Sequence, residues 1–292
     1  MQIQKSFKGQ SAYGKLYLVA TPIGNLDDVT FRAIQTLKEV NWIAAEDTRN
    51  TGLLLKHFDI PTKQISFHEH NAKEKIPDLI DLLKQGQDVA QVSDAGLPSI
   101  SDPGHDLVKA AILEDIAVVT VPGASAGISA LIASGLAPQP HIFYGFLPRK
   151  SGQQKQFFES KKDYPETQIF YESPHRVADT LENMIEVYGD RSVVLVRELT
   201  KIYEEYQRGH ITELLDSIAE IPLKGECLLI VEGASQEVED KDEEDLFAEI
   251  QARLQQGIKK NQAIKEVAKI YQWNKSQLYA AYHEWEENQS DD

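Results

Sequence analysis

The chain has 292 residues, 41% hydrophobic and 26% charged, a globular composition long enough for two domains and a small appendage. Its 30 basic and 46 acidic side chains leave a net charge of −16, which argues against a non-specific grip on a phosphate backbone. A single cysteine, Cys227, excludes an intramolecular disulfide and a cysteine-based zinc site. No apolar stretch reaches membrane-spanning length and the first ten residues carry no apolar signal core, so a soluble cytoplasmic protein without a metal or a membrane partner is expected.

The run 14–22 is short, β-branched and bounded by glycine and proline, which predicts a buried first strand. A helix follows with Val29, Ala33, Ile34 and Leu37 on one face, and Asp27 or Asp28 is its expected cap. Residues 41–47 read as a second strand, with Thr48 capping a helix that ends near His57. A short strand at 63–67, an amphipathic helix at 73–85 and strands at 88–92 and 116–121 complete five β/α units. That alternation predicts a mostly parallel sheet covered on both faces. Past a helix at 124–135, the loop 134–140 is the expected hinge. Strands are then predicted at 141–147, 168–173, 192–199, 204–210 and 226–233, with helices near 151–160, 174–187 and 211–219 between them. The short spacing of the last elements points to antiparallel pairing and a mixed second sheet.

The expected organisation is therefore an N-terminal α/β domain over 1–122 and a second α/β domain over 123–235. An acidic linker at 236–245 and a helical extension at 246–292 follow. Residues 237–245 hold seven acids with Lys241 alone, whereas 253–275 hold six bases against Glu266 alone. A basic surface is thus available on an acidic protein. Two short helices joined at 272–274, with lysines outward, fit a helix-turn-helix or a plain helical cap equally well.

The segment QVSDAGLPSISDPG at 91–104 is the most informative. A strand delivers Asp94 into a turn of small residues, and a second loop, PGASAG at 122–127, repeats the device. Ligands of open α/β proteins sit beyond the carboxyl ends of strands, where loops and helix N-termini expose backbone N–H groups. Asp94 with Gly96, and Ser125-Ala126 opening the next helix, are accordingly read as ligand-binding. Ser101-Asp102-Pro103 is read as a helix start only. TPIGN at 21–25 lacks the lysine and spacing of a P-loop, yet Pro22 and Gly24 allow close backbone approach. Three further strand ends concentrate carboxylates and arginines: AEDTRN (Glu46, Asp47, Arg49), YESPHR (Glu172, His175, Arg176) and RELTK (Arg197, Glu198). Each alone would pass for an ordinary ion-paired strand end. His68 and His70 share one side of an extended segment but no third metal ligand is evident.

The blocks KLYLVATPIGNLDD, AAEDTR, SDAGLPSISDPG, VPGASA, FYGFLPR, YESPHR and RELTK, in order over 14–233, resemble those of the ribosomal RNA small subunit methyltransferase I family. That family lies within the tetrapyrrole-methylase-like S-adenosylmethionine enzymes. The resemblance implies two α/β domains of the tetrapyrrole-methylase type with the cofactor between them, a small C-terminal helical extension, and a homodimer. It implies 2′-O-ribose methylation of one cytidine in the decoding region of 16S rRNA; the acidic body, with its grip confined to the basic helices at 253–275 and local arginines, points to the assembled 30S subunit rather than naked RNA. Cofactor contacts carried over by motif fall on Pro22, Asp94, Leu97, Ser125 and Ala126, with the loops around Phe146 and Tyr171 closing the second side. Leu97 departs from a commoner threonine in the AGxP turn, a change that a backbone contact tolerates.

A ribose hydroxyl is a poor nucleophile, so Glu46, Asp47, Glu172 and Glu198 are the candidate bases. Arg49, His175, Arg176 and Arg197 are the candidate substrate contacts. Two rivals stand beside this reading. One is a tetrapyrrole or protein methyltransferase on the same fold; the other is a ligand-sensing nucleic-acid-binding regulator.

Overall fold

The computed structural model describes residues 3–4, 12–100, 104–220, 223–235, 242–271 and 273–290. It divides into two compact units, Met1–Ala234 and Ser235–Asp292. The expected helix start at Ser101-Asp102-Pro103 lies outside the described residues.

The first unit opens with β1 (Leu16–Val19), α1 (Phe31–Glu39), β2 (Trp42–Ala45), α2 (Thr48–His57) and β3 (Lys63–Ser66). It continues through α3 (Ala72–Lys84), β4 (Val89–Val92), α4 (His105–Leu113) and β5 (Val118–Val121). The five strands form one parallel sheet in the order β3-β2-β4-β1-β5. Alternate residues feed opposite faces. Leu16, Ala44 and Val89 pack with Leu79, Leu83 and Leu107, while Val19, Ile43, Ala45 and Val92 pack with Ala33, Leu37 and Leu55. Burial on both faces explains why these strands read as continuous apolar runs.

Two caps differ from the sequence expectation. Neither Asp27 nor Asp28 caps α1: both lie in a 3-10 turn, Leu26–Asp28, and Thr30 is the cap, its side chain accepting from the Ala33 N–H at 3.0 Å. Asp47 rather than Thr48 caps α2, accepting from the Arg49 N–H at 2.8 Å. In each case a residue with extended backbone just before the first turn takes the role, which is what its geometry requires.

The rest of the unit comprises α5 (Ala126–Ser134), β6 (His141–Phe146), α6 (Ser151–Glu159), β7 (Thr167–Glu172), α7 (Val177–Tyr188) and β8 (Ser192–Arg197). Then come β9 (Glu205–His210), α8 (Ile211–Glu220) and β10 (Cys227–Val231). The second sheet runs β6-β7-β10-β8-β9 and is mixed. β6 and β7 are parallel, while β10 is antiparallel to both β7 and β8, and β9 is antiparallel to β8. Helices α6, α7 and α8 supply Phe158, Leu181, Met184 and Leu214 to one face, and α5 supplies Ala130 and Leu131 to the other. Because α5 rests on this second sheet, the chain passes between sheets at 122–125, upstream of the loop 134–140 expected as the hinge.

The second unit is three helices: α9 (Glu243–Gln255), α10 (Lys260–Ile270) and α11 (Lys275–Ser290). Helix α9 starts three residues before the expected boundary because Asp242 caps it, accepting from the Asp245 N–H at 3.0 Å. Residues 236–241 of the expected linker lie outside the described residues. Leu246, Ile250, Ile264, Val267, Leu278 and Tyr282 form a core of the unit's own, and Lys259, Lys265, Lys269 and Lys275 are exposed. No helix among the described residues is long and apolar enough to cross a membrane.

Candidate functional site

Parallel strands place all their carboxyl ends on one edge of the first sheet, and β4, β1 and β5 lie side by side there. The loops they feed are pinned to one another. Thr21 and Gly96 exchange backbone hydrogen bonds of 2.9 and 3.1 Å, and the Thr21 hydroxyl donates to the Ser93 carbonyl at 3.1 Å. Gly96 has φ +77°, a left-handed conformation that glycine adopts without strain. A Cβ there would stand 3.3 Å from the Ile23 side chain and 3.6 Å from the Ala124 carbonyl oxygen, so the loops after β1, β4 and β5 converge on this glycine.

Pro22, Asp94, Gly96, Leu97, Ser125 and Ala126 all belong to these three loops. Gly96 is buried, Pro22, Leu97, Ser125 and Ala126 are half-buried, and Asp94 is exposed. Ser125 occupies the cap position of α5 without using its side chain as the cap. The site continues into the second sheet. Ala126 and Tyr171 pack against the same apolar cluster, and Phe146 meets Tyr171 edge-on with ring centroids 5.4 Å apart. Thus Phe146 and Tyr171, at the ends of β6 and β7, are linked to the first sheet's loops through α5.

The AEDTRN residues adjoin Asp94 because β2 is paired with β4. The Asp94 carboxylate accepts from the Asp47 N–H at 3.2 Å and from the Asn50 amide at 3.1 Å, and the Asp94 N–H donates to Glu46 at 3.2 Å. Arg49 donates to both oxygens of Asp47, at 3.1 and 2.6 Å, and with the backbone bond at 2.8 Å this pulls the Asp47 carboxyl down to about 2. The Arg49 side chain is otherwise turned to solvent, 88% exposed.

YESPHR and RELTK share one end of the second sheet, since Glu172 and Arg197 are both in register with Cys227 of the strand between them. Glu172 is buried, accepting from the Ser173 N–H and the Thr180 hydroxyl at 2.8 Å each and ion-pairing with Arg176 at 3.3 Å. Arg176 also donates to the Pro148 carbonyl at 2.7 Å. His175 is exposed. Arg197 binds Glu205, at 2.9 Å from Nε, and the Lys224 carbonyl at 3.3 Å. Glu198 accepts from the Glu226 N–H at 2.9 Å and from Lys201 at 3.0 Å, bonds that lower its carboxyl below the usual range. The loop that follows reaches the first sheet: a Cβ on Gly24 would lie 2.7 Å from the Lys201 side chain.

The three carboxylate–arginine groups therefore divide between the sheets. Glu46, Asp47 and Arg49 sit with Asp94; Glu172, Arg176, Arg197 and Glu198 belong to the second sheet, engaged in bonds that hold its loops. Sequence reasoning missed Asn50 and Thr21, which fix Asp94 and Gly96, and Lys201, Glu205 and Glu226, which engage RELTK. Asn50 and Thr21 lie inside the quoted motifs, whereas pairing with Glu205 and Glu226 depends on strand register. Among the described residues no group of three side chains is arranged to hold a metal ion.

The model of the Tetrapyrrole (Corrin/Porphyrin) Methylases matches residues 15–215. Similar solved structures include a uroporphyrin-III-C-methyltransferase from Thermus thermophilus, 20% identical with a TM-score of 0.53, covering 75% of this chain and 94% of that one. A second structure of a Thermus thermophilus uroporphyrin-III C-methyltransferase, complexed with S-adenosyl homocysteine, is 18% identical with a TM-score of 0.52 and covers 75% and 97%. These likenesses establish the fold. The Streptococcus pyogenes serotype M1 protein named ribosomal RNA small subunit methyltransferase I is 71% identical over 97% of this chain and all of its own length. Its Bacillus subtilis namesake is 48% identical over 96% of this chain and 98% of its own. With that identity sustained over nearly the full length, the chain belongs to the ribosomal RNA small subunit methyltransferase I family, methyltransferases on the tetrapyrrole-methylase fold.

Proposed function

We propose that this protein transfers a methyl group from S-adenosylmethionine to the ribose 2′-oxygen of a cytidine in the decoding region of 16S rRNA. The observation that carries the reading is the convergence of three loops on Gly96, beside the Asp94 carboxylate, in a chain so similar to small-subunit rRNA methyltransferases. S-adenosylmethionine is the cofactor, and its sulfonium supplies an activated methyl for in-line displacement. The residues present fit it. Gly96 admits close approach, the N-terminus of α5 at Ser125-Ala126 offers N–H donors, Asp94 offers an acceptor for hydroxyls or an ammonium, and Phe146 with Tyr171 gives an apolar wall.

Displacement of this kind needs chiefly positioning and a desolvated cleft. A base that takes the ribose hydroxyl proton adds to the rate, most effectively when its pKa is near the working pH. Asp47 at about 2 and Glu198, also lowered, are weak bases, and Glu172 is committed to Thr180, Ser173 and Arg176. Glu46, which accepts from the Asp94 N–H at 3.2 Å and so stands beside the loops that converge on Gly96, is the base in this reading. The substrate is the 30S subunit, the working form is a homodimer, and the setting is the cytoplasm. Lysines 259, 265, 269 and 275 of the helical unit add RNA affinity, so deleting 240–292 lowers RNA affinity more than cofactor affinity. Equal loss of both would count against that role.

The test is transfer of tritiated methyl from S-adenosylmethionine to 30S subunits lacking the modification, with a tetrapyrrole precursor in parallel. Label in an alkali-resistant dinucleotide is the expected result. Label in the tetrapyrrole, or in a base rather than a ribose, would overturn the assignment.

A further inference from the structure

The loop between β6 and α6 presents two cationic side chains that the fold does not use. Arg149 and Lys150 are exposed, and among the described residues neither side chain makes a hydrogen bond or ion pair; Lys150 serves α6 only through its backbone, its carbonyl accepting from the Gln154 N–H at 3.0 Å. Exposed His175 stands on the neighbouring loop after β7, the strand paired in parallel with β6. Phe146, 68% exposed, ends β6 just before the first loop and packs edge-on against Tyr171 near the start of the second. Most exposed cations on an acidic protein are solvated and idle, so what holds this pair decides whether it is more.

What holds it is buried. Arg176 bridges the two loops, donating to the Pro148 carbonyl at 2.7 Å and pairing with Glu172 at 3.3 Å, where the Glu172 side chain is 1% exposed. Behind that carboxylate runs a chain of hydrogen bonds through the interior. The Ser151 hydroxyl donates to Asn183 at 2.7 Å, Asn183 to Gln154 at 2.6 Å, Gln154 to Thr180 at 3.0 Å, and Thr180 to Glu172 at 2.8 Å. Every donor points the same way and the chain ends on a charge, an arrangement in which each bond polarises the next. Ser151 directly follows Lys150, so both ends of the network fasten the segment 148–151. A buried charged pair is a costly way to stabilise a fold and a good way to fix one geometry.

Resting on the reading of this protein as an RNA methyltransferase, we propose that Arg149 and Lys150, with His175, form the rim that grips phosphates of the RNA strand entering the site. Glu172 and Arg176 are positioning residues that hold this rim. Cations beside an exposed aromatic ring match the chemistry of single-stranded nucleic acid, whose backbone needs charge and whose bases need a flat apolar face. The placement also answers the charge problem: an acidic body repels RNA in general and admits it where fixed cations are concentrated.

The experiment measures binding of small-subunit rRNA against salt for the wild type and R149A/K150A, alongside S-adenosylmethionine affinity and steady-state methylation of 30S subunits. K73A/K109A, which removes two exposed cations of α3 and α4, controls for net charge. The rim double variant is expected to bind RNA about tenfold more weakly and to lose about 1.4 from the slope of log K against log salt, two single-strand phosphate contacts. KM for subunits should rise while kcat and cofactor affinity stay near wild type. Unchanged RNA affinity and slope in R149A/K150A, or an equal loss in K73A/K109A, would overturn the rim and leave the methyltransferase reading intact. A wild type that neither binds nor methylates small-subunit rRNA would overturn both.

Discussion

Two strand ends of this molecule carry nearly the same residues and do opposite work. At the end of β2, a half-buried Asp47 pairs with a solvent-facing Arg49 next to Asp94; at the end of β7, Glu172 and Arg176 pair with the carboxylate sealed from water. An exposed pair contributes little to stability and is available to a ligand. A buried carboxylate is committed, because removing its partners or replacing it leaves polar groups stranded without water. Identical chemistry in sequence thus separates into reactive surface and internal scaffold according to burial alone.

The comparison is tested hardest at Glu172. Glu172→Ala should cost about 3–5 kcal/mol in denaturant unfolding, since it strands Arg176, Thr180 and the Ser173 N–H. Stability near wild type would mean the buried pair is no scaffold. At the other strand end the effect should appear in turnover: Glu46→Gln lowers kcat about a hundredfold while melting temperature and cofactor affinity hold. An unchanged kcat would leave positioning as the whole of catalysis.

Asp94→Asn sharpens the contrast further. It should weaken S-adenosylmethionine binding about tenfold, seen by calorimetry, with little effect on folding. The smallest effect is at Asp47, whose folded pKa is depressed from 3.8 to about 2 by Arg49. Its stabilising contribution is present above the unfolded value and disappears only as pH falls through the folded one. Carboxyl NMR should therefore show Asp47 ionised well below the ordinary aspartate value of 3.8. Arg49→Ala should raise the titration part of the way, since the backbone N–H bonds from positions 49 and 50 remain, without a resolvable change in melting temperature; a titration unmoved in the variant would assign the shift elsewhere.

Much of this was legible in the residues. Strand-to-loop transitions at 92–96 and 121–126 announce a ligand edge, because only small residues and a carboxylate suit that turn, and the three loops do converge on Gly96. Alternating β/α units likewise foretell the parallel sheet, since each strand is buried on both faces. The caps were less legible. Thr30 and Asp47 win over their neighbours through backbone conformation, which is fixed by where the preceding turn or strand ends.

The sequence by itself determined the fold class, the family and the loops proposed to form the site, because periodicity, turn chemistry and motif spacing are local properties. Tertiary structure decided which partners each carboxylate meets. Glu46 and Glu198 both accept from backbone N–H groups brought in from far along the chain, those of Asp94 and Glu226, while Glu172 is buried against the Thr180 hydroxyl and Arg197 is paired with Glu205. Burial and register are products of the whole chain. They seal Glu172 inside the second sheet's scaffold and leave Asp94 exposed at the carboxyl edge of the first sheet, where the cofactor is proposed to bind.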